Sequence, residues 1–106
     1  PTPPAIVEFH IPEGTGTSPW NTQATMLTVT VGQTVRIIND DTTPHAFHAS
    51  SDIPCPHQDF STQLATGQFY DCVTSAPIDP GAGPPLTYDH LFGSTASVWL
   101  KVDAAP

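Results

Sequence analysis

Between Pro44 and Gln58 the chain reads PHAFHASSDIPCPHQ. This stretch gathers three of the five histidines and one of the two cysteines. Imidazole nitrogens and thiolates are the side-chain donors that hold late first-row metals, so the first chemistry to weigh is metal coordination. His45 and His48 form an H-x-x-H pair, and Cys55 and His57 follow on the same segment. His90 lies further on, beside Asp89 in YDHLF. His10 falls on the polar side of an alternating segment and reads as solvated. Other chemistries find no support. There is no G-x-S-x-G elbow, no P-loop and no H-E-x-x-H helix.

Side-chain parity constrains the candidates. On an ideal strand an odd spacing puts His45 and His48 on opposite faces. Both reach one metal only if the backbone bends at Ala46-Phe47, which Pro44 and the preceding turn allow. Alternatively, His48 and His90 share a face of their own. His57 in CPHQ sits on a loop of irregular, flexible character and is an auxiliary candidate. Asp89 has three readings: an oxygen ligand, a partner that fixes a histidine tautomer, or a solvated carboxylate.

The two cysteines, Cys55 and Cys72, read first as a disulfide, the default in an exported protein. It would close a loop worth about 3 kcal/mol in the chain-entropy picture and pin the irregular segment after Ser51. The rival is a thiolate metal ligand at Cys55 or Cys72.

These residues need a scaffold, and the scaffold signals are strands. Ala5 to Ile11 alternates, with Val7, Phe9 and Ile11 on one face; Met26 to Val31 alternates with Leu27, Val29 and Val31 inward. Gly32-Gln33 makes a tight connection to Thr34 to Asn39, and DDTTP turns into a short strand at Ala46 to Ser50. Gly67 to Val73, Leu86 to Phe92 and Ala96 to Val102 complete the set, and either Val98 or Trp99 belongs to the core. Seven or eight short strands between turns predict a single all-β domain over residues 1–106, a Greek-key β-sandwich.

Composition narrows the partners. The net charge is −8, and Arg36 and Lys101 are the only basic side chains. That excludes a nucleic-acid surface and disfavours an anionic membrane surface. No apolar run is long enough to span a membrane, so no insertion is expected. PTPPA reads as a trimmed N-terminus, and the expectation is a periplasmic or secreted protein whose signal peptide has been removed.

GQTVRIINDDTTPH, from Gly32 to His45, resembles the approach to the first ligand histidine of the cupredoxins, the small copper-binding β-sandwiches. TYDHLFGSTASVW resembles their C-terminal ligand loop in its multicopper-oxidase form. Asp89 stands at the cysteine position, His90 matches the histidine after it, Ser94 falls at the second histidine, and no Met follows. The resemblance implies a cupredoxin-like fold, copper as cofactor, and a ligand set drawn from His45, His48, His90, Asp89 and His57. With no thiolate in that loop, the implied site is non-blue, built on nitrogen and oxygen donors. The implied role is copper handling or electron transfer, with a redox or copper-delivery protein as partner. Two other classes stay open: a copper-free protein-interaction module, and a copper redox enzyme whose site forms at a subunit interface. Catalysis is the less favoured class, because a chain of this length leaves little room for a substrate pocket without a partner subunit.

Overall fold

The computed structural model describes residues 4–105, and its regular structure is almost entirely strand. Eight strands form: β1 (Ile6–Ile11), β2 (Leu27–Thr30), β3 (Thr34–Asn39), β4 (Phe47–Ala49), β5 (Phe69–Val73), β6 (Thr87–Asp89), β7 (Gly93–Val98) and β8 (Leu100–Asp103). They pair as β1-β3-β5, β2-β8 and β4-β6-β7. β1 runs parallel to β3 and β2 parallel to β8; the remaining pairs are antiparallel. The result is an all-β sandwich. No helix among the described residues is long and apolar enough to cross a membrane.

The alternation of the sequence becomes the core. Val7, Phe9 and Ile11 turn inward from β1, while Ile6, Glu8 and His10 face solvent. Val35 and Ile37 of β3 and Cys72 of β5 meet Val29 of β2, Phe47 of β4, Val98 of β7 and Leu100 and Val102 of β8 in one apolar cluster. Burial of such side chains is worth about 1.5–3 kcal/mol each, which makes this face-to-face contact the main support of the fold.

Two local features differ from the sequence reading. The expected strand Ala96 to Val102 is two strands, broken at Trp99, where the chain leaves β6 as partner and joins β2. Val98 is buried and Trp99 only partly so, which assigns the core position to Val98. The expected strand Leu86 to Phe92 ends at Asp89, because the Asp89 carboxylate accepts the Leu91 N–H (2.9 Å) and its carbonyl accepts the Phe92 N–H (3.3 Å). Those bonds close a turn, a typical use of Asp. The register shift between Tyr88 and Asp89, with Gly93 in the left-handed region (φ 84°), completes a bulge that re-aims His90.

Cys55 and Cys72 form a disulfide. It ties the segment after β4 to β5, and further contacts hold that segment down. The Tyr70 hydroxyl donates to the Pro56 carbonyl (2.5 Å), the Gln58 N–H to the Phe47 carbonyl (2.8 Å), and the Ser75 N–H to the Pro54 carbonyl (2.8 Å). The stretch around His57 is therefore an anchored loop rather than a loose one.

Candidate metal centre

His45 lies apart from the other histidines of its segment. Its side chain is fully buried, with Nδ1 2.5 Å from Asp89 Oδ2 and Nε2 2.8 Å from Asp41 Oδ2. A carboxylate only accepts, so both ring nitrogens carry hydrogen and neither offers a lone pair. Burial opposes that charge, but the hydrogen bonds to Asp89 and then Asp41 outweigh it, and the imidazole pKa is raised. For Asp41 burial alone would push the pKa up. Its bond from His45 and the N–H groups of Gly16, Gly14 and Thr42 overcome this and hold it well below the usual carboxylate range. Asp89 is equally buried and also accepts the Trp20 indole N–H (3.1 Å). Of the three readings open for Asp89, the geometry fits a partner of a histidine; that histidine is His45, and since both its nitrogens carry hydrogen, Asp89 fixes the orientation of the ring.

His48, His57 and His90 come together instead. Their ring centroids stand 5.4 Å (His48–His57), 5.1 Å (His48–His90) and 5.4 Å (His57–His90) apart. Each arrives by a different route. His48 sits in β4 opposite Tyr88, whose ring stacks on it at 4.3 Å. His90 stands at the bulge after β6, and its N–H donates to the Ala46 carbonyl (2.8 Å). His57 is brought in by the loop that Cys55 anchors.

The partners of these rings define their tautomers. His90 Nδ1 lies 3.1 Å from the Gln58 carbonyl, which accepts, so Nδ1 carries the hydrogen and Nε2 is left free in the neutral ring. His57 Nδ1 lies 3.0 Å from Asp52 Oδ1, with the same consequence. His48 Nδ1 is buried without a hydrogen-bond partner. Burial, followed by the proximity of His90 and His57, pushes the His48 pKa down and favours the neutral ring that a ligand must be.

The donor set suits copper in kind. Three imidazoles on a metal at about 2.0 Å and tetrahedral angles have centroids about 5 Å apart, close to the spacing seen. Histidine ligands commonly give their second N–H to a carboxylate or a carbonyl, as Asp52 and Gln58 receive them here. In aim the set is unfinished: among the described residues no group of three or more His, Cys, Asp or Glu side chains is already converged as a metal cage. The rings would have to turn inward. Both cysteines are spent in the disulfide, so neither is a free thiolate. His10 remains outside the cluster, half-exposed between Asp40 (2.8 Å) and Glu8 (3.3 Å).

Four residues of this region lacked a functional reading in the sequence. Asp41, Asp52 and Gln58 are ordinary polar residues there, and only the folded chain sets them against His45, His57 and His90. Trp20 sits in a Gly/Pro/Ser loop, yet it is buried against Phe9, His45 and Phe47. A large aromatic in such a loop was the one signal available.

No family model matches the chain, and no curated protein matches it. Among solved structures, a novel purple cupredoxin from Nitrosopumilus maritimus superposes with a TM-score of 0.56 at 23% identity, covering 91% of this chain and 98% of that one. Strand content, pairing and this likeness agree, and the chain has a cupredoxin-like fold.

Proposed function

We propose that this protein binds copper at a non-blue site made by His48, His57 and His90, and acts in copper handling or electron transfer. The observation that carries the proposal is the three-imidazole cluster, in which two rings have their Nδ1–H groups engaged and the third has a buried nitrogen without a partner. Copper affinity for imidazole is high among first-row divalent metals, and bound copper would supply a one-electron couple. The chain's own residues do the rest. Asp52 and Gln58 orient two rings, burial keeps His48 neutral, and the disulfide keeps His57 in place. His45 and Asp89 of the original candidate set become support rather than ligands. The disulfide favours an oxidising compartment, periplasmic or extracellular. The acidic surface suits a partner with a basic docking face, such as a redox or copper-delivery protein.

The second reading is a copper-free interaction module. Titration of the apo-protein with Cu(II), followed by optical and electron paramagnetic resonance spectra, separates the readings. The expected result is one copper per chain, a weak ligand-field band, nitrogen superhyperfine structure, and loss of affinity in each of His48→Ala, His57→Ala and His90→Ala. No tight binding leaves the interaction module. An intense thiolate charge-transfer band would mean that a cysteine, not this cluster, holds the metal.

A further inference from the structure

His45 occupies the position at which the sequence resembles a ligand, yet both its ring nitrogens are engaged by Asp41 and Asp89. We propose that His45 is the positioning residue of the centre, clamped between Asp41 and Asp89 so that Asp89 fixes His90 and His48 relative to one another. This rests on the reading of His48, His57 and His90 as the copper site.

The links are continuous. Asp41 is tied to the loop after β1 by the N–H groups of Gly14 (2.9 Å) and Gly16 (2.8 Å), and it receives His45 Nε2. His45 Nδ1 then holds Asp89 Oδ2, which Trp20 Nε1 also meets. The other oxygen, Asp89 Oδ1, accepts from Leu91 N (2.9 Å) and more weakly from Ala46 N (3.4 Å). His90 lies between Asp89 and Leu91, and its own N–H returns to the Ala46 carbonyl (2.8 Å). Ala46 leads directly into β4, where Phe47 pairs with Asp89 and His48 with Tyr88. The His45–Asp89 pair is thus the side-chain ion pair that joins the two segments carrying His48 and His90, beside the main-chain bonds of Ala46 and the β4–β6 ladder. A buried ionic network of this kind is weak evidence for stability but a good device for fixing one geometry.

The two ring nitrogens make the idea testable. His45→Asn can place its amide N–H near the position of Nδ1 and keep the bond to Asp89. His45→Gln reaches further, toward Asp41, and takes from Asp89 its imidazole donor, leaving it the Trp20, Leu91 and Ala46 N–H groups. Histidine tautomers are read in the apo-protein by long-range proton–nitrogen spectra, and copper affinity is read by Cu(II) titration of the same variants. Wild type and His45→Asn are expected to keep the His90 hydrogen on Nδ1. His45→Gln is expected to mix the His90 tautomers and weaken copper by about 10–100-fold, the usual cost of losing an outer-shell partner. Unchanged His90 and His48 signals in a folded His45→Gln chain would overturn the proposal. If His45→Gln does not fold, the wild-type chain loaded with Cu(I) decides. Both His45 nitrogens staying protonated while the signals of His48, His57 and His90 shift supports it; loss of a His45 proton on loading overturns it. Should wild type bind no copper, the proposed function fails, and the His90 tautomers of the apo variants still judge the positioning role; if in that case His45→Gln also fails to fold, the proposal falls with the function.

Discussion

His45 Nδ1 and Asp89 Oδ2 meet at 2.5 Å in the interior, and Asp41 Oδ2 holds the opposite nitrogen of the same ring at 2.8 Å. One imidazolium between two carboxylates makes folding depend on pH. The His45 pKa is raised above 6.5 in the folded chain, so its contribution is fully present below about 6.5 and is lost as pH rises through the folded value. Asp41 is depressed from 3.8, so its contribution is present above about 4 and is lost as pH falls. His48 works against His45, because its lowered pKa gives stability that is lost as pH drops below about 6.5. In a His48→Gln background the alkaline loss therefore stands with less opposition. Urea unfolding of that variant is expected to show a falling free energy above about pH 6.5. His10, raised by Asp40 and then Glu8, acts in the same direction from an exposed position, and His48→Gln/His10→Gln removes it. A flat profile in the double variant would show that the buried pair does not carry the charge described.

Replacing both Cys55 and Cys72 by Ser tests the anchored loop. The bond closes a separation of 17 residues, and its loss is expected to cost about 3 kcal/mol, a fall in Tm of about 10–20 °C. His57 lies two positions from Cys55, so copper affinity should fall with stability while the optical spectrum keeps its weak band. An unchanged affinity would show that the Tyr70, Gln58 and Ser75 contacts place His57 without the disulfide.

Much of the scaffold was legible because strand faces obey a two-residue period. Val7, Phe9 and Ile11, and then Leu27 and Val29, turned inward as their alternation required. The split at Trp99 was not legible for the same reason. Ala96, Val98, Leu100 and Val102 are all buried, so the alternation continues unbroken while the hydrogen-bond partner changes from β6 to β2. Periodicity records which face a side chain takes, not which strand lies alongside. The site divides in the same way. The residue types could be read, because donor chemistry is a property of each side chain, while the pairing of His48 with His90 stood as one alternative among several. The engagement of His45 by Asp41 and Asp89 could not, since those partners are 4 and 44 positions away and meet only in the folded chain. Asp89 at a position where the resemblance has a thiolate was the available hint.

Gly83 shows where the chain depends on a missing Cβ. It adopts φ 102°, and a Cβ there would stand 2.8 Å from Cη2 of Trp99, the residue at the break between β7 and β8. The Trp99 main chain bonds Asn21 and Leu27, so relief has to come from the ring turning about its side-chain torsions. Gly83→Ala is expected to cost about 2–3 kcal/mol in thermal or urea unfolding, from overpacking added to left-handed strain. Gly81→Ala is the control. Gly81 is left-handed too (φ 56°) but a Cβ there meets nothing within 4 Å, so about 1 kcal/mol is expected. Equal losses at the two positions would mean that Trp99 does not press on Gly83.

Asp52 holds the His57 ring from an unusual backbone. Ser51 and Asp52 both lie in the left-handed region (φ 56° and 57°), and Asp52 Oδ1 accepts the N–H (3.2 Å) and Nδ1–H (3.0 Å) of His57. Asn tolerates that backbone as well as Asp does and still offers a carbonyl oxygen, though without the charge. Ala has neither property. Asp52→Asn is therefore expected to leave Tm nearly unchanged and to weaken Cu(II) binding by less than about 10-fold. Asp52→Ala should weaken it by about 10–100-fold and lower stability by about 1 kcal/mol. The measurement is a Cu(II) titration of each variant beside its thermal melt. Equal affinity in Asp52→Ala and wild type would show that the His57 tautomer does not matter to the metal, and His57 would leave the proposed ligand set.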